Sequence, residues 1–146
     1  MMAGIGGRNT RPELRLRKAL HARGFRYRLH ARGLPGRPDL LLPRYRAVVF
    51  VHGCFWHRHP GCRFTTTPAA NASFWQEKFE SNVGRDARTI ATLQSLGWRV
   101  AVVWECALRG KAIDQVISDV IEWICGDVVK AEFGAEERPV ERPCAS

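Results

Sequence analysis

Acidic residues are scarce in this chain, and scarcest at its start. Its 146 residues include 14 Asp and Glu against 23 Lys and Arg, for a net charge of +9. Residues 1–46 contain only two acids, Glu13 and Asp39, against twelve basic side chains, so this third carries 12 − 2 = +10. Such a field disfavours cationic partners and favours a polyanion, with nucleic acid foremost. Arginine outnumbers lysine there, and the planar guanidinium fork suits phosphate. Also missing is any apolar run able to span a bilayer, and the N-terminus (MMAGIGGRNTRPEL) lacks the apolar centre of a signal peptide. The expectation is a cytoplasmic protein with no membrane role. Internal repeats are absent. Cysteines number only five, with no paired CxxC knuckles. In a reducing compartment, cysteines beside histidines read as metal ligands before disulfides.

What is present fits one domain, since a chain of this length can bury a sizeable core. Thr10-Arg-Pro-Glu13 has the form of a capping box, and Leu14, Leu16, Ala19 and Leu20 continue a short helix to about Gly24. Alternation over Phe25–His30 predicts a half-buried strand. Strands are also expected at Asp39–Leu42, Ala47–Val51 and Trp98–Trp104. Phe74–Leu96 reads as a long helix closed by Gly97, with a buried stripe of Phe79, Val83, Ile90 and Leu93. A final amphipathic helix runs from Ile113 to Ile124. The domain is placed at 1–126, and 127–146, where periodicity fades, as a disordered tail.

The densest chemistry lies in Phe50–Cys62, FVHGCFWHRHPGC, which holds three of the five histidines and two of the five cysteines at the end of an apolar strand. Cys54, His59 and Cys62, with Cys106 after a later strand, supply the Cys3His set of a closed zinc site; separate buried thiols and a surface histidine would give the same pattern. Cys125 has a home in the last helix and Cys144 in the tail. Asp39 opens an apolar strand, where a carboxylate needs a partner or a cation, or serves as a turn cap. His52 and His57 are suited to proton transfer near neutral pH. Asp86 is in phase with the buried stripe of the long helix and calls for an imidazole or cationic partner. Arg85 or Arg88 at the rim would also serve. Phe55, Trp56 and Trp75 could wedge between base pairs, although Trp75 shares the spacing of the core stripe.

FVHGCFWH, taken with the upstream NTRPEL and GRPD and the downstream FWQEKFESNVGRD and WRVAVVWECAL, resembles the very short patch repair (Vsr) DNA mismatch endonucleases over roughly Arg8 to Arg109. The resemblance implies an α/β, restriction-endonuclease-like fold of the PD-(D/E)xK superfamily, with a mixed sheet flanked by helices and a structural Zn2+. The usual acid-x-lysine is replaced here by Phe50-Val51-His52. It further implies a Mg2+-dependent nick 5′ to the thymine of a T:G mismatch left by deamination of 5-methylcytosine. By resemblance Asp39 and the main-chain carbonyl of Val51 hold Mg2+, and His57 activates water. His52 helps to stabilise charge, Asp86 orients a histidine and Glu13 supports the site. Cys54, His59, Cys62 and Cys106 bind Zn2+, with His57 as the competing histidine ligand. Phe55, Trp56 and Trp75 open the duplex, while Arg8, Arg11 and Arg15 meet DNA. The implied partners are T:G duplex DNA, mismatch-repair proteins and a cytosine-5 methyltransferase, the enzyme itself acting as a monomer. Two alternatives remain, a restriction or defence nuclease of other specificity and a silent zinc-held DNA-binding module.

Overall fold

The apolar runs at 40–42, 47–52 and 99–104 become the centre of a single sheet. This is seen in a computed structural model that describes residues 10–60, 62 and 65–134. In chain order the elements are α1 (Arg11–Ala22), β1 (Arg28–Leu29), β2 (Leu40–Leu42), β3 (Ala47–His52), α2 (Cys54–His57), α3 (Ala72–Ser95), β4 (Arg99–Trp104), α4 (Glu105–Arg109), α5 (Ile113–Cys125) and β5 (Lys130–Phe133). The five strands lie in sequence order, β1-β2-β3-β4-β5. The first two pairings are antiparallel and the last two parallel, so α3 and α5 serve as the crossovers that parallel neighbours require.

Side-chain alternation along β3 and β4 divides the core into two layers. Ala47, Val49, Ala101 and Val103 face α1, α4 and α5, where Leu16, Leu20, Leu108, Val120 and Ile124 are fully buried. Val48, Phe50, Val100, Val102 and Trp104 face the other way, toward Leu93 and Ile90 of α3 and toward Cys54, Cys62 and Cys106. Both faces of the central strands are therefore covered, which is why they read as continuous apolar runs. The same two-residue period carries His52 to the α3 side of the sheet, in phase with Val48 and Phe50.

Three expectations change. Only Arg28–Leu29 of the Phe25–His30 segment pairs as a strand, and both residues are exposed; Phe25 instead packs beneath α1. Val83 is 44% exposed. The inward line of α3 passes through Phe79, Asn82, Asp86 and Leu93, because the helix meets polar groups of α2 rather than an apolar wall. Finally, 127–146 is not all tail. Lys130–Phe133 pairs with Val100–Val103, a short edge strand whose alternating polar residues gave no apolar signal. The rest of the expected tail, from residue 135 with Cys144, lies outside the described residues, as does Arg8. Among the described residues, no helix is long and apolar enough to cross a membrane.

Candidate active site and metal centre

The end of β3 that carries His52 opens into a cleft of about 660 Å³. The cleft gathers Glu13, Asp39, Val51, His52, Phe55, Trp56, His57, Asp86 and Arg11, residues drawn from α1, the start of β2, β3, α2 and α3. Gly36 makes part of this convergence possible. Its φ of +75° is open to glycine, and a Cβ there would collide with Thr89 of α3 and press on the Phe50 ring. The loop leading to Asp39 can thus lie directly against α3.

Asp39 sits one residue before β2, opposite the end of β3, and its Oδ2 accepts a 2.7 Å hydrogen bond from the Val51 N–H. Burial pushes its carboxyl up to about 6, with the neighbouring Glu13 adding to the rise and the Val51 N–H opposing it. Glu13 is only 2% exposed. Its backbone N–H is capped by Thr10 Oγ1 at 3.3 Å, as the capping-box pattern predicts. The side chain, however, turns inward, where Oε2 accepts from His30 Nε2 at 2.8 Å and from Arg17 at 3.4 Å. His30 Nε2 also lies 4.0 Å from Asp39 Oδ1. Donor atoms of Glu13, His30 and Asp39 fall within 4.8 Å of one another, near enough to share a cation.

Across the cleft, α2 and α3 lock together. Asp86 Oδ2 lies 2.6 Å from His57 Nδ1, and one turn earlier Asn82 donates to the Trp56 carbonyl at 3.2 Å. A carboxylate acceptor on Nδ1 fixes the tautomer and leaves Nε2 as the basic nitrogen. The His57 ring stacks on His52 with centroids 3.9 Å apart and planes 6° from parallel. Burial, with His57 adding to the effect, pushes His52 down to about 3. His52 is therefore a neutral imidazole at working pH. It can offer a hydrogen bond and a flat surface, and its place in the β3 alternation buries it between Phe50 and Trp104.

Behind α2, Cys54, His59, Cys62 and Cys106 are all buried, with donor atoms within 4.8 Å of one another. His59 Nδ1 lies 3.7 Å from Cys54 Sγ and 3.5 Å from Cys106 Sγ. The edge of a tetrahedral N/S site with ordinary arm lengths is about 3.6 Å, so this donor set fits a metal. Burial raises the Cys54 thiol well above its ordinary range, against an opposing hydrogen bond from the Cys106 backbone. A bound cation reverses that preference. His59, not the competing His57, joins the cysteines. Its ring stacks on Trp104 at 4.3 Å, and Gly134 comes so close that a Cβ there would meet His59 Cε1 at 2.9 Å.

The expected wedge residues form one aromatic cluster. Phe55 meets Trp56, Trp75 and Phe79 edge-on, and Trp75 stacks on Phe79 at 5.7 Å. Phe55 and Trp56 line the cleft, whereas Trp75 stands behind them beside Phe74, which is 58% exposed. Arg58 spans the cluster, its guanidinium 3.9 Å from the Phe79 ring centre and bonded to the carbonyls of Phe55 and Thr66. Arg11 faces the cleft, but Arg15 donates to the Leu108 carbonyl at 3.0 Å and ties α1 to α4. Sequence reasoning missed His30, Arg58, Asn82 and Phe74. None of these carried a local signal, because each gains its partner only from the tertiary fold.

Residues 1–63 match the family model described as DNA mismatch endonuclease Vsr. The chain is 46% identical to the Escherichia coli (strain K12) protein named DNA mismatch endonuclease Vsr, covering 92% of this chain and 88% of that protein. It is 50% identical to the Xanthomonas oryzae pv. oryzae Type II nicking enzyme V.XorIIP, covering 74% and 79%. It is also 43% identical to the Neisseria meningitidis Type II nicking enzyme V.NmeAIP, covering 77% and 80%.

Proposed function

The chain belongs to the DNA mismatch endonuclease Vsr family, and from that premise we propose that it nicks duplex DNA 5′ to the thymine of a T:G mismatch created by 5-methylcytosine deamination. The observation that carries the reading is the single cleft in which Asp39 and Glu13 face the His57–Asp86 pair, with Phe55 and Trp56 along its wall. Asp39, which accepts from the Val51 N–H, together with the Val51 carbonyl is our assignment for holding Mg2+. The cation would neutralise phosphate charge and lower the pKa of water. His57 Nε2 takes the proton of the attacking water, while Asp86 keeps Nδ1–H oriented and balances the imidazolium. His52, flat against His57, holds that ring in plane without bringing a second charge next to it. Phe55 and Trp56, anchored by Asn82 and the aromatic cluster, enter the opened base step, and Arg11 meets the backbone. The Cys3His cluster is assigned to Zn2+, which fixes α2 to the end of β4 and does no chemistry. The β2–β3 hairpin carrying Asp39, followed by parallel β4, supports assignment to the restriction-endonuclease-like, PD-(D/E)xK fold.

Nicking assays on T:G, matched and methylated duplexes in Mg2+ test the reading. Cleavage confined to the thymine strand of the T:G duplex is expected, and equal cleavage of matched DNA would refute it. Relatives named as Type II nicking enzymes favour one variation, in which the flanking sequence is that of a restriction site. Mismatches placed in varied contexts separate that case. Asp86→Asn is expected to lower kcat by ~10²–10⁴, the usual worth of an oriented acid–base group, with duplex affinity retained. A wild-type rate in that variant would remove Asp86 from its role in orienting His57.

A further inference from the structure

His30 is the one imidazole of the cleft region that the mechanism leaves idle, yet the fold goes to some length to fix it. Its backbone sits in the left-handed region, φ 47°, which is unfavourable for a residue with a Cβ. Its N–H donates to the Asp39 carbonyl at 3.0 Å, so β1 and the start of β2 are joined at these two residues. From that anchor Nε2 reaches Glu13 Oε2 at 2.8 Å and comes within 4.0 Å of Asp39 Oδ1. Glu13 belongs to α1, which reaches the sheet through its apolar residues Leu16 and Leu20 on the opposite core layer. His30 and Arg17 both bond the buried carboxylate. Arg17 is a neighbour on the same helix and cannot register α1 against β2. His30 can, because it belongs to the other element.

We propose that His30 is a positioning residue that clamps Glu13 of α1 to the Asp39 end of β2, so that the two carboxylates converge on one divalent cation. The inference rests on the cation-dependent reading above but concerns only how this chain's residues hold the ion. Groups that support metal ligands from behind commonly change metal affinity when removed, without being ligands themselves. Through His30, the register of α1 sets the cation site, which would otherwise depend on Asp39 and the β3 backbone alone.

The test uses the full zinc-loaded chain and two readouts. Mn2+ binding to the free protein is followed by electron paramagnetic resonance, and nicking of a T:G duplex is measured against Mg2+ concentration. His30→Ala is expected to weaken Mn2+ binding and raise the half-saturating Mg2+ by about tenfold, with the loss falling on the Mg2+ requirement rather than on the saturated rate. His30→Gln, whose amide can still donate to Glu13, should recover most of it. In a Glu13→Gln background, His30→Ala should add little, because the two groups act as one unit. Undiminished Mn2+ affinity in His30→Ala would overturn the proposal. So would a loss that persists undiminished in the Glu13→Gln background, or nitrogen hyperfine coupling to Mn2+ that disappears with His30, since that would make it a ligand. If His30→Ala does not fold, Mn2+ affinity in His30→Gln compared with Glu13→Gln decides, equal losses overturning the clamp. Should the wild type nick no duplex, the functional reading fails while the Mn2+ arm still judges His30.

Discussion

Asp39→Ala is expected to abolish nicking while mismatched duplex still binds. A divalent cation at the transferring phosphate is worth several kcal/mol, so losing its main carboxylate should slow the reaction by ~10³ or more. Alanine also strands the Val51 N–H that Asp39 satisfies at 2.7 Å. Asp39→Asn is the cleaner companion, since its amide oxygen can keep that bond. The same residue gives a pH signature. Its folded carboxyl titrates at about 6, above the ordinary 3.8, chiefly because of burial. The folded state therefore holds this proton more tightly than the unfolded chain. The associated stability is complete below about 3.8 and is lost as pH rises through about 6. In buffer free of Mg2+ but with the metal cluster loaded, Asp39→Asn should be more stable than wild type at pH 7.5, by roughly 3 kcal/mol at most. The advantage should vanish near pH 4. Thermal melts across that range check it, and a difference that grows toward acid would reverse the sign. Wild-type cleavage by either variant would end the case for Asp39.

Cys106→Ser is expected to act on a different quantity. It removes a buried thiol that lies 3.5 Å from His59 Nδ1. Loss of stoichiometric zinc should follow, with roughly 3–5 kcal/mol of stability and a drop in Tm on the order of 10 °C. Metal content by mass spectrometry and melting curves measure both. Mismatch binding should fall as well, because Cys54 immediately precedes Phe55 and Trp56 on α2 and the loosened cluster no longer holds them. A folded variant with full zinc content would contradict the site. Asp39→Asn should remain zinc-replete, so the two variants separate the cation cleft from the buried cluster.

Much of this was legible in the chain because the relevant signals are local. The apolar runs of β3 and β4 are long and covered on both faces, and the helical periodicity of α5 is strong. The clustered Cys and His residues of Phe50–Cys62 were conspicuous, and the inward phase of Asp86 pointed to the imidazole that it meets at 2.6 Å. Where tertiary context decides, the sequence was silent. β5 is an alternating polar edge strand, recognisable only once β4 is there to pair with it. The inward line of α3 shifts from Val83 to Asn82 because a carbonyl of α2, not an apolar side chain, waits opposite. Arg15 looked like any other basic residue until Leu108 supplied its acceptor. His30 gained a role only when the fold brought α1 across the β1–β2 turn.

The strand order carries a consequence for synthesis. Strands laid down in sequence order, β1 to β5, are added from one edge of the sheet to the other as the chain leaves the ribosome. The hairpin bearing Asp39 is complete first, and Cys54, His59 and Cys62 follow close behind it. The fourth member of that cluster, Cys106, arrives only after α3 and β4 have been made. A nascent chain therefore has the acidic corner of its cleft before it can close a four-coordinate centre. A metal bound there would close a long loop, where such a crosslink removes most freedom from the unfinished chain, and would fix the place of α2 at that moment.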